Sequence, residues 1–385
     1  MAGALVTTNI LQTLVNTGLV ALRQRIVLAK IANRAFEGEL IGMKPGASVN
    51  IMVPAAIATR TVTPDVVPPA VTAITPTTVA LTLSQWDEAA FAMDDKGIAQ
   101  VGKGLLPATA SEAIKALANK IDTYLWGLCH GAGGFFGYAG IAGTTPFATD
   151  LSEYLTAVNL AESSLQLMPT DSRYVILDST AKANALGVNA VQNAAWRGDA
   201  NAFRTGQIGE VLGATWDYSQ NVPLHTAGTW TNAGTTTGTN AAGQGVVNLT
   251  GGTGSILVGD IVTFAGADTQ TYVAIAVTGT APTTAITVAP NLVTAKSGTE
   301  LVTVKATHRV NLLVHPMALA FAMAPLQSET QIEGAPTSQA VAVDPMSGLA
   351  LRLEVSRQYK QTQWAFDALY GGAVVRREFG VRIAG

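Results

Sequence analysis

Residues 107–130, PATASEAIKALANKIDTYLWGLCH, decide how this chain is read. Apolar residues fall at Ile114, Leu117, Ala118, Ile121, Leu125 and Leu128, the three- and four-residue spacing of one buried helical stripe. Glu112, Lys115, Lys120 and Asp122 fall mainly off that stripe. Thr109 and Glu112 have capping-box spacing, which predicts the helix start, and Gly131 with the glycines after it predicts the stop. Such a helix spans roughly 33 Å, longer than an average globular helix. One apolar stripe on so long a rod suits an element laid across a sheet.

On the N-terminal side, residues 8–34 read as a helix or pair of helices, with Arg23, Arg25, Lys30 and Arg34 clustered late as a solvated face or as ion-pair partners. Residues 46–93 read as a long β-hairpin, because Val49, Ile51 and Val53 alternate, as do Val79, Leu81 and Leu83. Between these arms, residues 55–78 carry Pro64, Pro68, Pro69 and Pro76 and too few large apolar groups to fold on themselves. Their expected fate is to extend and lie on a neighbouring molecule.

On the C-terminal side, the glycines of 131–143 resemble a dinucleotide fingerprint in spacing. They follow a helix, however, where that fingerprint needs a strand before and a helix after. Residues 150–223 are mixed α/β. Asp150 or Ser152 caps a helix expected to reach Leu167, with Leu151, Leu155, Val158 and Leu165 on one side. Arg173–Leu177 is a short buried strand, Asp178 or Ser179 caps another helix, and Gly206–Val222 holds two strands around Gly213.

The composition changes at Leu224. Residues 224–306 contain only Asp260, Asp268, Lys296, Glu300 and Lys305 as charges, and short alternating runs separated by Gly, Pro and Asn predict a small all-β unit. From Thr307 the mixed α/β pattern resumes, so the β unit looks inserted. Val310–Val314 reads as a strand and Pro316 as the first turn of a helix through Met323. Leu349–Val355 reads as a half-buried strand, and Gln361–Ile383 as a hairpin turning at Gly371-Gly372. Arg376 and Arg377 are adjacent, which would send them to opposite sides of a strand.

Composition narrows the class. The chain has 385 residues, net charge −3 and 13% charged residues, against roughly 25% in an average soluble protein. Mean hydropathy is +0.29. Val66–Trp86, Thr123–Thr149 and Tyr218–Gly259 lack Asp, Glu, Lys and Arg, but prolines, threonines and glycines spoil each as a spanning helix. Residues 1–20 lack the basic start of a signal peptide. A chain with so little charge and no apolar span is expected to hide its surface against other proteins.

The order of parts resembles a known family, the Hong Kong 97-type major capsid proteins of tailed bacteriophages, and most closely the coat proteins of the Salmonella short-tailed phages with their inserted β-domain. Val49–Pro54 and Val79–Lys96 resemble the arms and exit of the family's extended loop, Lys115–Gly131 its spine helix, and Gly206–Val222 the hairpin before the insertion. Leu257–Gly266 (LVGDIVTFAG) resembles the most recognisable strand of the inserted domain. The insertion is short and Gly/Thr-rich around Thr226–Gly245, and the extended loop is poor in acidic residues, both departures from the family.

The resemblance implies an α+β fold. Its parts are an N-terminal arm (1–39), an extended loop (40–93), a spine helix and peripheral region (94–149), an axial α/β domain (150–223), an inserted β-barrel (224–306), and return strands (307–385). It implies self-assembly through pentamers and hexamers into an icosahedral shell in the virion, made in the host bacterial cytoplasm. Scaffolding and portal proteins are implied as partners, with double-stranded DNA held non-specifically on the inner face and no membrane.

No catalytic, cofactor-binding or metal-ligating residue is assigned. Asp87-Glu88 and Asp94-Asp95 are adjacent carboxylates that point apart on a strand. Cys129, the only cysteine, and His130 are about 100° apart on a helix, so Cys129 reads as a buried structural thiol. His130, His225, His308 and His315 lack metal-site spacing. The alternatives to a shell protein are a β-rich adhesin or glycan-binding module built on 224–306, and an enzyme whose titratable groups would cluster in one cleft.

Overall fold

The computed structural model describes residues 13–22, 26–36, 38, 48–54, 59, 61, 76–97, 105–163, 165–193, 204–231, 234–266, 268–326, 337–343 and 349–385. The 55–78 connection therefore lies almost wholly outside the described residues. The chain starts with helices over 13–22 (α1) and Leu28–Ile31 (α2), then strands Ser48–Val53 (β1), Thr77–Thr82 (β2) and Gln85–Asp94 (β3). The long helix, Leu105–His130 (α3), leads into Gly137–Gly140 (β4), Ser152–Ala161 (α4), Arg173–Leu177 (β5) and Ser179–Gly187 (α5). Short strands Gly209–Val211 (β6), Ala214–Tyr218 (β7) and Leu224–His225 (β8) follow. Next come Thr235–Thr236 (β9), Val246–Thr250 (β10), Ile261–Phe264 (β11), Tyr272–Thr278 (β12), Ala285–Ala289 (β13) and Val302–Val304 (β14). The chain closes with His308–Val314 (β15), Leu319–Ala324 (β16), Thr337–Val343 (β17), Ala350–Gln358 (β18), Gln361–Val374 (β19) and Gly380–Ala384 (β20).

These strands make three sheets and a ribbon. The first sheet has order β16-β19-β18-β17, with β3 also paired to β19. The second has order β4-β20-β15-β5-β7-β6, with β8 on β15. The third, β14-β11-β12-β13-β10-β9, has its own apolar core around Trp230, Val262, Phe264, Tyr272 and Ile286. The ribbon is β1 and β2, antiparallel from Ser48↔Thr82 to Val53↔Thr77.

Helix α3 buries Ile114, Leu117, Ala118, Ile121 and Leu125, as its periodicity requires, in a core shared with the first and second sheets. It begins at Leu105, so Pro107 sits in its first turn and Thr109 lies inside the helix rather than capping it. Asp122 is the larger departure: expected mainly off the apolar stripe, it is fully buried. Its carboxylate accepts from the backbone N–H groups of Val27 (3.1 Å) and Leu28 (3.2 Å), capping α2 from across the fold.

Four other expectations are corrected. The hairpin does not extend to residue 93: β3 leaves it and pairs along its whole length with β19, Gln85↔Tyr370 through Asp94↔Gln361. Helix α4 ends at Ala161, well short of Leu167. Its last turn tightens (Ser163 N–H to Leu160 O, 3.0 Å), the chain folds back (Met168 N–H to Ala161 O, 2.8 Å), and Leu167 takes φ +46° in solvent. The buried face of α4 is Tyr154, Ala157 and Ala161, with Leu155 exposed. After a single 3₁₀ turn at Pro316–Ala318, the helix expected through Met323 is instead strand β16. All six of its residues are buried, β19 flanks it on one side, and Asn33 bridges to it through Leu319 O and Phe321 N–H. That tertiary pairing overrides the helix preference of Leu, Ala and Met.

The fourth correction concerns Gly371-Gly372. These residues do not turn; β19 runs straight through them. Gly371 lies against the ribbon, where a β-carbon would penetrate Thr82 O. Gly372 lies against α3, where a β-carbon would stand 3.0 Å from Leu125 Cδ2 and 3.1 Å from Leu128 Cδ1. The glycines are needed for close approach on both faces. The chain turns later, at Arg377–Phe379, so Arg376 and Arg377 are not strand neighbours; Arg376 pairs with Glu378 at 3.2 Å. Gly371→Ala is expected to destabilise the chain by ~1–3 kcal/mol through overpacking. Gly127→Ala, where a methyl meets open space inside α3, is expected to stabilise by up to ~1 kcal/mol. Urea unfolding of both variants checks the pair.

Candidate functional site

The residues with chemical potential are spoken for structurally. Asp87 accepts from Tyr370 Oη, whose own ionisation burial pushes up. Asp94 Oδ1 accepts from Gly97 N–H (2.8 Å), and Asp95 pairs with Arg357 at 2.6 Å. Cys129 is buried, which raises its thiol to about 12. His130 turns away from it and hydrogen-bonds Trp126 O through Nδ1 at 2.6 Å. No base therefore meets the thiol, and the thiol stays protonated at neutral pH. Among the described residues, no group of three or more His, Cys, Asp or Glu side chains is arranged as metal ligands would be.

The surface feature that stands out is the ribbon. One face, Val49, Ile51 and Leu81, packs with Leu83 on Ala320, Ala322, Ala324 and Leu369 of the first sheet. The opposite face presents Ser48, Asn50, Met52, Thr78 and Ala80 to solvent, with Met52 67% exposed. Neither strand contains a charged residue. Beside the ribbon, β3 alternates half-buried and exposed positions, and its exposed row is Trp86, Glu88, Ala90, Ala92 and Asp94. Trp86 is 64% exposed, yet its indole N–H is fixed on Asp367 Oδ2 (3.0 Å), which the Arg352 guanidinium also holds. The ring is thus a rigid apolar projection.

Sequence spacing missed one grouping. His130, His225 and His308 are far apart in the chain but adjacent in space, with ring centroids 5.8 Å apart for His130–His225 and 5.4 Å for His225–His308. A signal was present: His225 and His308 each stand just after one of the two points where composition changes. His315 lies elsewhere, against Phe379.

Asp122 joins the N-terminal segment to α3, and burial raises its carboxyl to about 6. The folded chain therefore holds a proton that the unfolded chain releases near pH ~4. The stability this group contributes is full at acid pH and is lost as pH rises through about 6. The stability of wild type relative to Asp122→Asn is expected to fall as pH rises from about 4 to about 6.5, measured by urea unfolding of both at fixed salt. An unchanged slope would assign the titration to another group.

Solved structures similar to this chain include three of phage or particle origin. One, from Mycobacterium phage Che8, is 18% identical, with 93% of this chain and 91% of that chain covered and a TM-score of 0.49. The capsid structure of the cyanophage P-SCSP1u is 12% identical, with 91% and 92% covered and a TM-score of 0.48. The virus-like particle from Pyrococcus furiosus is 8% identical, with 98% and 99% covered and a TM-score of 0.43. No family model matches the chain, and no curated protein sequence matches it.

Proposed function

We propose that this chain is a structural major capsid protein of a tailed bacteriophage, assembling with copies of itself into the icosahedral shell that encloses the phage DNA. The observation that carries the reading is the ribbon: a two-stranded arm docked by one face only, with an uncharged opposite face. Leaving Met52 and its neighbours in water forfeits their burial, roughly 1.5–3 kcal/mol for a large apolar side chain when complete. Repeated around a closed symmetric body, many modest contacts of this kind sum to a stable shell. The low charge of the chain, 13%, fits a protein whose surface is mostly shared with copies.

In this reading the first sheet and α3 form the peripheral part of a Hong Kong 97-type subunit, and the second sheet forms the axial part. Strands β9–β14 form an inserted β-domain, as in the Salmonella short-tailed phage coat proteins, and residues before β1 form the N-terminal arm. Residues 55–78, beyond the ribbon, reach a neighbouring subunit. The inner face lies on double-stranded DNA without sequence preference, scaffolding and portal proteins take part in assembly, and the shell protein has no catalytic role. Synthesis takes place in the host bacterial cytoplasm. The glycan-binding alternative loses ground because Trp230, Phe264 and Tyr272, the aromatic rings of residues 224–306, are all buried, leaving no platform for a sugar.

Light scattering after size exclusion, with electron microscopy of the product, tests the proposal: shells or shell-like polymers are expected. A persistent monomer at high concentration, with or without a scaffold, would overturn it. Met52→Glu is expected to abolish or strongly reduce assembly while shifting subunit stability by no more than about 0.5 kcal/mol, as an exposed substitution should.

A further inference from the structure

The polypeptide enters and leaves the third sheet through two strands, β8 and β15, and His225 of one lies directly opposite His308 of the other. This narrow neck sits on the end of α3. The backbone O of His130 packs on Gly259, whose φ of +95° and lack of a β-carbon permit the approach. Arg382, fully buried in β20, joins the two elements: one guanidinium N–H donates to Gly259 O (3.0 Å) and another to His130 O (3.3 Å). A small apolar seam, Phe136, Tyr138 and Ala384 against Ile261, Val273 and Ala289, completes the joint.

The imidazoles in this joint have little room for a second proton. His308 is 0% exposed, and its Nδ1–H donates to Ala306 O at 2.8 Å. Nε2 is then a bare lone pair, buried with no hydrogen-bond partner. A proton placed there would be an unpaired buried charge. Around it stand the His225 ring, the Tyr138 ring at 5.1 Å, and the Arg382 charge. Lys305 already lies over the other side chain in contact, its Nζ 5.7 Å from the Tyr138 centroid. The nearby carboxylate, Asp260, is engaged by His225 Nε2 (2.9 Å) and by the N–H groups of Gly228 (3.0 Å) and Leu257 (2.7 Å). The Cys129 thiol beside His130 is uncharged at neutral pH.

We propose that this cluster is an acid-sensitive latch: with His130 and His308 neutral the neck is closed on the long helix, and their protonation beside Arg382 opens it, freeing the third sheet to move. Burial lowers His308 to about 4 and lowers His130 as well, with Arg382 and His225 acting in the same direction on both. A lowered histidine contributes stability that is full above about 6.5 and is lost as pH falls toward the folded-state value. The closed neck is therefore the neutral-pH state.

Hydrogen–deuterium exchange of the full-length chain, normalised for the intrinsic pH dependence of exchange, tests the latch between about pH 7.5 and 4.5. Amides of residues 222–230 and 256–262 are expected to lose protection about tenfold on acidification while those of 361–374 keep theirs. His308→Gln, which cannot titrate, is expected to hold the neck closed across the range, and His315→Gln, away from the joint, to behave as wild type. If His308→Gln fails to fold, His130→Gln takes its place and is expected to show at most about half of the wild-type response. The latch is overturned if the neck shows no loss, if neck and 361–374 lose protection together, or if the folded histidine variant responds as fully as wild type.

Discussion

Strand β19 is pressed from both faces at one point, and the main body is arranged around that contact. The ribbon closes on Gly371 through the backbone of Thr82, and α3 closes on Gly372 through Leu125 and Leu128. Tyr124 Oη also reaches Gly372 O at 3.4 Å. Two adjacent residues in a strand face opposite sides, so two adjacent glycines thin the sheet on both sides at the same height. Helix, sheet and ribbon thus stack as three layers with the minimum separation. A side chain at either position would push one outer layer away and unseat the apolar groups that depend on it, Leu81 and Leu83 on one side and the α3 stripe on the other.

This same contact separates what is legible in the sequence from what is not. Period-two and helical patterns locate α3, the ribbon strands, β5 and most strands of the third sheet, because each of these buries one face by local rule. Gly371-Gly372 reads as a turn because the residue type that permits a turn also permits close approach, and only a partner from elsewhere in the chain separates the two. β16 reads as a helix for a similar reason: buried on all sides, it carries no alternation, and its partners β19 and Asn33 are distant in sequence. The histidine cluster cannot be assembled from spacing, although two of its members bracket the change in composition. Alternation marks the apolar face of the ribbon, Val49, Ile51 and Leu81, but not that this face docks on the first sheet.

Charge is scarce in this chain, and a few charged residues are buried at joints between elements. Asp122 ties the N-terminal segment to α3. Arg382 ties the third sheet to α3 and β20, and Asp260 holds the neck strand β8 through His225. Asp367 on β19, held by Arg352 of β18 and Trp86 of β3, links the two strands that flank β19. Within the third sheet, Lys296 pairs with Asp268 at 2.6 Å, and Tyr272 Oη donates to the same carboxylate. Buried charges of this kind add little net stability, because desolvation offsets their attraction, but a mismatched alternative leaves a charge unpaired at a cost of several kcal/mol. Apolar faces alone would let ribbon, helix and sheets slide on one another. Polar joints at a few points fix the register.

Two of these joints respond to pH in opposite senses. Asp122 favours its buried position when protonated, so the N-terminal contact to α3 strengthens as pH falls through about 6. His308 and His130 favour theirs when neutral, so the contact of the third sheet with the C-terminal end of α3 weakens over the same fall. In the unfolding free energy of the whole chain the two contributions oppose each other, and a flat stability curve would hide both. In the structure they do not cancel, because they act at different places along one rigid helix. Acidification tightens what α3 holds near Asp122 and loosens what it holds near His130. The two oppositely signed proton-linked contacts sit about two turns apart on one helix, so that one change in pH shifts stability from one to the other within the chain.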